Sequence, residues 1–478
     1  MPLIRILAIV LALVSSLMLP ALAMAVVLGE YSMFAAFLIP IALGTITGLF
    51  AILSSRKIIN GFRARDGFLL VFLTWFLSTL MGSLCYYIAP VNISLIDAIF
   101  ESACCFSTTG ATIISDFELI PRSLLFWRSI NHWAGGIGII FLTVALFPLL
   151  GVGSFQLIKA EVPGPEKERL RPRVTQTAKM LCMVYSVFTT VIICLYRIGG
   201  MSWFDAVCQG LTIVSTGGVN VHNEGFNFYN SAFIDWVTAI FMLLSVVNFT
   251  LYYKVIHGNF RELLHNTELR AFFIIFTGAA LIVCVNLIPT YNSLSEAFRF
   301  GFFQTASMLS TAGNVRSDYS AWPALAQAVL LGLMFVGGCS GSTAGGIKVI
   351  RHTVLFKQAL NELRRIIYPR GVFSIHLNRK VGRKDVVYGA AGFVFLYFVI
   401  VGFSTLLTAA SGFDVFSSFY TSLAITGNIG TGLTASGPIN SFGDFPNHLK
   451  LYYSFVMIVG RLELWTVFVL FTPTYWRR

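Results

Sequence analysis

Charge is what this sequence has least of. Only 11% of its 478 residues are Asp, Glu, Lys or Arg, and 56% are hydrophobic. Soluble globular domains carry about 25% charged residues. A soluble enzyme or binding module is therefore excluded, and an integral membrane protein is implied. The eight cysteines, Cys85, Cys104, Cys105, Cys182, Cys194, Cys208, Cys284 and Cys339, include no C-x-x-C pair. A disulfide framework or a zinc site thus has no support. No cluster of His, Asp or Cys converges in the apolar segments, so a membrane-embedded enzyme would lack its chemistry. The formal charge of +12 does not point to nucleic acid. The basic residues fall in the loops between apolar runs, as the positive-inside rule requires.

What the chain has in quantity is long apolar runs. Ten are long enough to cross a ~30 Å hydrocarbon core: residues 6–28, 32–54, 68–90, 124–151, 179–200, 229–252, 271–289, 323–350, 386–410 and 448–472. The first also reads as a signal peptide, with Arg5 as a basic start and Ala21-Leu22-Ala23 as a cleavage-like site. Its apolar character continues to Leu28, which favours a retained span. On this layout 26 of the 33 lysines and arginines lie on one side of the membrane. The other side holds Glu30, Asp116, Glu118, Glu224, Asp318 and Asp444. Both termini are expected in the cytoplasm, beneath an outer vestibule that concentrates cations.

Within these runs a motif recurs. Ser107-Thr108-Thr109-Gly110-Ala111-Thr112 has relatives at Ser215-Thr216-Gly217-Gly218, Ser310-Thr311-Ala312-Gly313-Asn314 and Thr426-Gly427-Asn428-Ile429-Gly430-Thr431. The glycines Gly110, Gly217, Gly313 and Gly430 lie 107, 96 and 117 residues apart by subtraction. Before each is an amphipathic stretch too short to span, opening at Asp97, Asp205, Glu296 or Asp414. An acidic residue suits a helix N-terminus. The distances to the glycines are 13, 12, 17 and 16 residues, so the repeats differ by about one helical turn. Non-helical backbone at membrane depth is tolerated only where protein buries it or water meets it. The reading is an all-α polytopic protein of about ten transmembrane helices, with four re-entrant pore helices in a pseudo-fourfold, channel-like arrangement. Residues 1–66 form two extra spans. The four repeats are 67–160, 161–268, 269–370 and 371–478. A single such loop reads as a turn or a cap. Four copies read as a ring of backbone carbonyls replacing the hydration shell of an alkali cation. Its triples are Thr108, Thr109 and Gly110; Ser215, Thr216 and Gly217; Thr311, Ala312 and Gly313; and Asn428, Ile429 and Gly430.

Two further features bear on conduction. The run Gly337-Gly338-Cys339-Ser340-Gly341-Ser342-Thr343-Ala344-Gly345-Gly346-Ile347-Lys348 interrupts an apolar span. It misses the phosphate-loop spacing because Ile347 separates glycine from lysine, so no nucleotide is expected on this chain. Its alternatives are close helix packing through small residues and a mobile loop in the conduction path, with Ser340, Ser342 and Thr343 facing ions. Arg461 stands in an apolar helix, where a charge costs at least about 2.5–3.5 kcal/mol and so faces the interior or water. Pairing with Glu463 is one reading, although positions i and i+2 do not face each other. An electrostatic barrier below a cation filter is the other. Asn248 reads as an interhelical hydrogen bond, and His132 and Trp133 as packing or interface residues.

These residues resemble the Trk-type bacterial potassium uptake proteins (TrkH/TrkG) over essentially the whole chain. The most specific pieces are Ser107 to Thr112, Gly337 to Arg351, Asn248-Phe249-Thr250-Leu251 and Gly460-Arg461-Leu462-Glu463. The resemblance implies four potassium-channel-like units in one chain, working as a homodimer in the inner membrane with one pore per subunit. It implies potassium ions in the filter, and it carries the filter glycine onto Gly110, Gly217, Gly313 and Gly430. The gating loop carries over onto Gly337 to Gly346, which includes Gly338, Gly341 and Gly345, and the pore arginine onto Arg461. A cytosolic ring protein (TrkA) that binds NAD and adenine nucleotides would control the gate, docked on the basic cytoplasmic loops. The function implied is potential-driven potassium uptake without enzymatic turnover. A potassium symporter coupled to protons or sodium is the alternative. None of the loops is Thr-Val-Gly-Tyr-Gly, and Asn314 and Thr431 stand where that motif has tyrosine. In related plant transporters serine at the first filter glycine goes with sodium preference, so Gly110 argues for potassium.

Overall fold

Long apolar runs become helices because backbone groups in hydrocarbon must bond within their own segment. The computed structural model of the chain describes residues 2–54, 64–141, 174–378, 380–381, 384–433, 437 and 441–477. Its helices are α1 (Pro2–Ser16), α2 (Leu19–Leu28), α3 (Phe34–Leu53), α4 (Ala64–Ile88), α5 (Leu95–Ser107) and α6 (Arg122–Phe141). They continue with α7 (Val174–Ile198), α8 (Trp203–Val214), α9 (Ala232–Ser245), α10 (Phe249–Ile256), α11 (Thr267–Leu287) and α12 (Leu294–Leu309). Then come α13 (Ala324–Met334), α14 (Val349–Ile367), α15 (Lys384–Ala410), α16 (Val415–Thr426), α17 (Asn447–Arg461) and α18 (Trp465–Phe468), with short helical turns at Phe260–His265 and Pro473–Trp476. One two-stranded antiparallel sheet, His376–Leu377 with Lys380–Val381, follows α14.

Among the described residues six helices are long and apolar enough to cross a membrane, and two bent pairs raise the total to at most eight. The expected span 124–151 runs past the described residues at 142. Three other expected spans break. Between α9 and α10 the chain turns by 94°. There the Asn248 Oδ1 accepts from the Thr250 N–H (2.8 Å) and hydroxyl (2.6 Å). Asn248 is thus an N-cap that starts a new helix, where an interhelical bond was expected. Residues 323–350 are helical only to Met334, because the glycines that follow each cost a helix about 1 kcal/mol against alanine. Between α17 and the α18 segment the turn is 107°, with Glu463 at φ +57° and Leu464 at φ +26°.

The four half-length helices form where expected, with 13, 12, 16 and 12 residues in α5, α8, α12 and α16. Ser94 caps α5 by accepting from the Asp97 N–H, and Ser202 caps α8 by accepting from the Asp205 N–H. Asp414 is itself the cap of α16, accepting from the Ser417 N–H. It therefore aligns with Ser94 and Ser202 rather than with Asp97 and Asp205. Each half-length helix packs between the helix before it and the helix after it: α5 between α4 and α6, α8 between α7 and α9, α12 between α11 and α13, and α16 between α15 and α17. Each also packs on the last helix of the neighbouring repeat: α8 on α6, α12 on α9, α16 on α13, and α5 on α17. That last contact joins the fourth repeat to the first, so the arrangement closes on itself. Helices α1–α3 lie against the first repeat through α4 and α6. The Glu30 carboxylate between α2 and α3 accepts from the backbone N–H groups of Arg122 and Ser123, at 2.9 and 3.0 Å, capping α6.

Candidate cation site

Within two residues of its end, each half-length helix is followed by a residue of left-handed conformation and, two positions later, by a glycine that is also left-handed. The pairs are Thr108 (φ +52°) with Gly110 (+82°), Thr216 (+56°) with Gly218 (+71°), Thr311 (+55°) with Gly313 (+67°), and Asn428 (+54°) with Gly430 (+81°). Repeated dihedrals expose a register difference. In the second loop the counterpart of Gly110 is Gly218, one residue beyond the expected Gly217. Gly217 instead faces the ring of His132. The frame Ser/Gly–Thr/Asn–x–Gly, read in all four copies, carries this signal in the sequence. From helix cap to glycine the first, second and fourth repeats then span 16 residues (Ser94 to Gly110, Ser202 to Gly218, Asp414 to Gly430). The third, from Ser293 to Gly313, spans 20, and the extra turn is carried by α12.

The glycines make the loops meet. A Cβ on Gly110 would strike the Gly217 carbonyl oxygen, on Gly218 that of Ala312, on Gly313 that of Ile429, and on Gly430 that of Thr109. The contacts run from loop one to two, three, four and back to one. Only a residue without a side chain permits so close an approach, and only glycine adopts this dihedral freely. Thr108, Thr109, Ser215, Thr216, Thr311, Ala312, Asn428 and Ile429 are all buried. Asn428 ties the fourth loop to the first. Its amide donates to the Thr109 hydroxyl and to the Met457 carbonyl, both at 2.9 Å.

The glycine-rich segment abuts this ring. Val336 and Ile347 form a parallel bridge across its neck, and the Gly337 N–H donates to the Ile347 carbonyl at 2.9 Å. The Gly345 N–H donates to the Thr311 hydroxyl (2.8 Å), and the Thr343 carbonyl accepts from the Thr216 hydroxyl (3.1 Å). A Cβ on Gly345 would strike the Gly427 carbonyl, and one on Gly338 would press on Ala344 and Val246. The segment is held from behind as well. The Glu268 carboxylate accepts from the backbone N–H groups of Ser340 (2.7 Å) and Ile350 (3.2 Å). The Cys339 N–H donates to Val246, and the Gly341 carbonyl accepts from the Phe249 N–H. Gly346 turns the chain at φ +65°. The hydroxyls expected to face ions mostly bond within the protein. Thr343 reaches the carbonyls of Val214 and Ser245, and Ser342 donates to the Cys339 carbonyl. The Ser340 hydroxyl is buried and has no hydrogen-bond partner among the described residues.

Arg461 closes α17 beside this segment. Its guanidinium donates to the Thr343 carbonyl and, at 3.0 and 3.2 Å, to the carbonyls of Gly135 and Gly136 on α6. Glu463 pairs with Arg351 of α14 at 2.5 Å, so it is bound across the fold. His132 and Trp133 pack inside the chain. Trp133 donates to the Thr189 hydroxyl at 3.1 Å.

Ion pairs that sequence reasoning missed surround the loops. Glu101 pairs with Arg128, and Asp235 with Arg316. No local pattern announces them, because the partners lie 27 and 81 residues apart. Beyond the first loop, Asn223 donates to Asp116 at 2.8 Å. That hydrogen bond holds the Asp116 carboxyl below its ordinary pKa.

The family model for TrkH, described as a cation transport protein, matches residues 32–478. The Trk system potassium uptake protein TrkG of Escherichia coli K12 is 36% identical over 465 residues, covering 96% of this chain and 95% of that protein. TrkH of Halomonas elongata is 35% identical, covering 99% and 98%. The crystal structure of the potassium transporter TrkH from Vibrio parahaemolyticus superposes with a TM-score of 0.89 at 33% identity, covering 100% of this chain and 99% of that one. With its many apolar helices and these relatives, the chain is a multi-pass membrane protein and belongs to the TrkH family of cation transport proteins.

Proposed function

We propose that this protein is a gated potassium uptake pore of the bacterial inner membrane, driven by the membrane potential. The observation that carries the reading is the closed contact circuit of four glycine loops, each at the end of a half-length helix. The half-length helices act as re-entrant pore helices. The loop carbonyls, with Gly218 in place of Gly217, bind potassium. The glycine-rich segment Gly337 to Gly346 is the gate, lodged against the filter and held there by Arg461, whose charge adds an electrostatic barrier. Both termini are cytoplasmic. Two copies form a homodimer, and a TrkA-like cytosolic ring protein binding NAD and adenine nucleotides works the gate.

The test is potassium and sodium flux through the purified protein in liposomes, wild type beside Gly110→Ser. Potassium-selective flux that the substitution relaxes is the expected result. Equal passage of both ions by the wild type overturns the filter assignment. The symport alternative asks for ionisable groups at depth, and Glu101–Arg128 and Asp235–Arg316 are such pairs. Uptake that requires a proton or sodium gradient at zero membrane potential would favour it.

A further inference from the structure

The four repeats contain their own control for one feature. Nine residues before the loop glycine, α5 has Glu101, α8 has Gln209, α12 has Gln304 and α16 has Thr421. Three repeats build this position with a neutral side chain, so the fold does not demand a carboxylate there. The first repeat buries one completely and pairs it with Arg128, the two side chains being 0% and 2% exposed. A buried ion pair is weak support for stability, since desolvating both charges offsets much of their attraction. The pair is better explained by what it holds.

The hydrogen bonds that the two side chains make beyond their own pairing end on the outer side of a loop. Glu101 accepts from the Thr112 hydroxyl at 3.0 Å and from the Ile113 N–H at 3.0 Å. Arg128 donates to the Asn220 carbonyl at 3.3 Å and lies over the Phe117 ring, 4.9 Å from its centroid. Thr112 is two residues beyond Gly110, and Asn220 is two beyond Gly218. The same register position is thus braced in two adjacent loops by one ion pair. By contrast, the neutral Gln209 donates to the Asn220 side chain and accepts from the Thr212 hydroxyl, and Gln304 donates to the Asn314 carbonyl, each at 3.4 Å. Charge-assisted bonds are roughly twice as strong as neutral ones, so at this register position the first two loops are held more stiffly than the third, whose own ion pair, Arg316 on Asp235, sits one residue farther out.

We propose that Glu101 and Arg128 are positioning residues that fix the outer ends of the first two loops and thereby set the discrimination between potassium and sodium. The inference rests on the four-loop filter reading. A cavity sized for one cation discriminates only while its walls resist collapse around a smaller one. The first and second loops are the ones this pair stiffens.

The test is the potassium-to-sodium permeability ratio of the full-length protein in liposomes, with thermal unfolding measured in parallel. The variants are Glu101→Gln, which keeps the acceptor but removes the charge, and Thr112→Val, which removes one braced hydroxyl and leaves the ion pair. The ratio is expected to fall about tenfold in Glu101→Gln, equivalent to about 1.4 kcal/mol of discrimination. Thr112→Val should lower it by less, with unfolding unchanged. A purely structural role would lower the unfolding temperature or the yield and leave the ratio alone. A selective wild type with unchanged ratios in both variants overturns the inference. Should Glu101→Gln fail to fold, Thr112→Val decides alone, and an unchanged ratio there overturns it. A wild type that passes both ions equally overturns the filter reading and this inference with it.

Discussion

At the scale of single residues, the loop glycines are constrained twice. Gly218 has φ +71°, and a Cβ there would strike the Ala312 carbonyl. A left-handed dihedral costs another residue about 1–2 kcal/mol, and overpacking adds about 1–3 kcal/mol. Gly218→Ser is therefore expected to match Gly110→Ser in relaxing potassium over sodium selectivity, as read by ion flux in liposomes. A Gly218→Ser protein with wild-type selectivity would return the filter register to Gly217. Asn428 differs from the three threonines at its position because its amide reaches both the Thr109 hydroxyl and the Met457 carbonyl. One longer side chain thus fastens the fourth loop to the first and to α17 together.

At the scale of elements, the glycine-rich segment between α13 and α14 is short and tightly bonded, and on the proposed reading it is the plug of the pore. Thr216, Thr311 and Arg461 hold its inner side, and Glu268 holds both of its ends. The Arg351–Glu463 pair then ties α14, which begins just after the segment, to the bend in the last helix. Removing a holder should loosen the plug. Deleting residues 341–345 is expected to leave a leak, measured as potassium efflux from loaded liposomes without any activator. Arg461→Ala should raise that efflux about tenfold, the change that 1.4 kcal/mol of lost clamping gives. A folded Arg461→Ala protein as tight as the wild type would remove the arginine from the gate.

At the scale of the whole molecule, the closed contact circuit makes the four repeats one unit. The seams between them use different chemistry. Arg128 joins loops one and two, and Arg316 on Asp235 joins two and three. Tyr319, which donates to the Gly432 carbonyl, joins three and four. Lys450 on Asp97 joins four and one. For an uncoupled pore the limit of accumulation follows from physics. One charge moving through 100 mV is worth ~2.3 kcal/mol, or about 50-fold potassium accumulation. Liposomes held at a fixed potential should reach that ratio and stop. Accumulation well beyond it would require a coupled ion and establish the symport alternative.

Much of this was legible in one dimension. Membrane class, four repeats, half-length helices and the loop motif are local properties. They depend on apolar run length, on a cap such as Ser94 or Ser202, and on glycine spacing, all readable within some twenty residues. The breaks after Met334 and before Asn248 carry local marks too, in clustered glycine and a lone amide cap. What only the tertiary structure decided lies across the chain. The Gly218 register is marked in the sequence by the shared four-residue frame, but its contact with the Ala312 carbonyl of another repeat is a matter of packing. Glu463 reached Arg351, 112 residues away, because a helix bend turned it toward α14. The Glu101–Arg128 brace exists because α5 and α6 bury both charges side by side. Sequence by itself determined the membrane class and the half-length helices, since those follow from solvation of the segment itself. The pairing of charges and the meeting of loops were decided by packing, since each needs a partner that proximity in sequence does not supply.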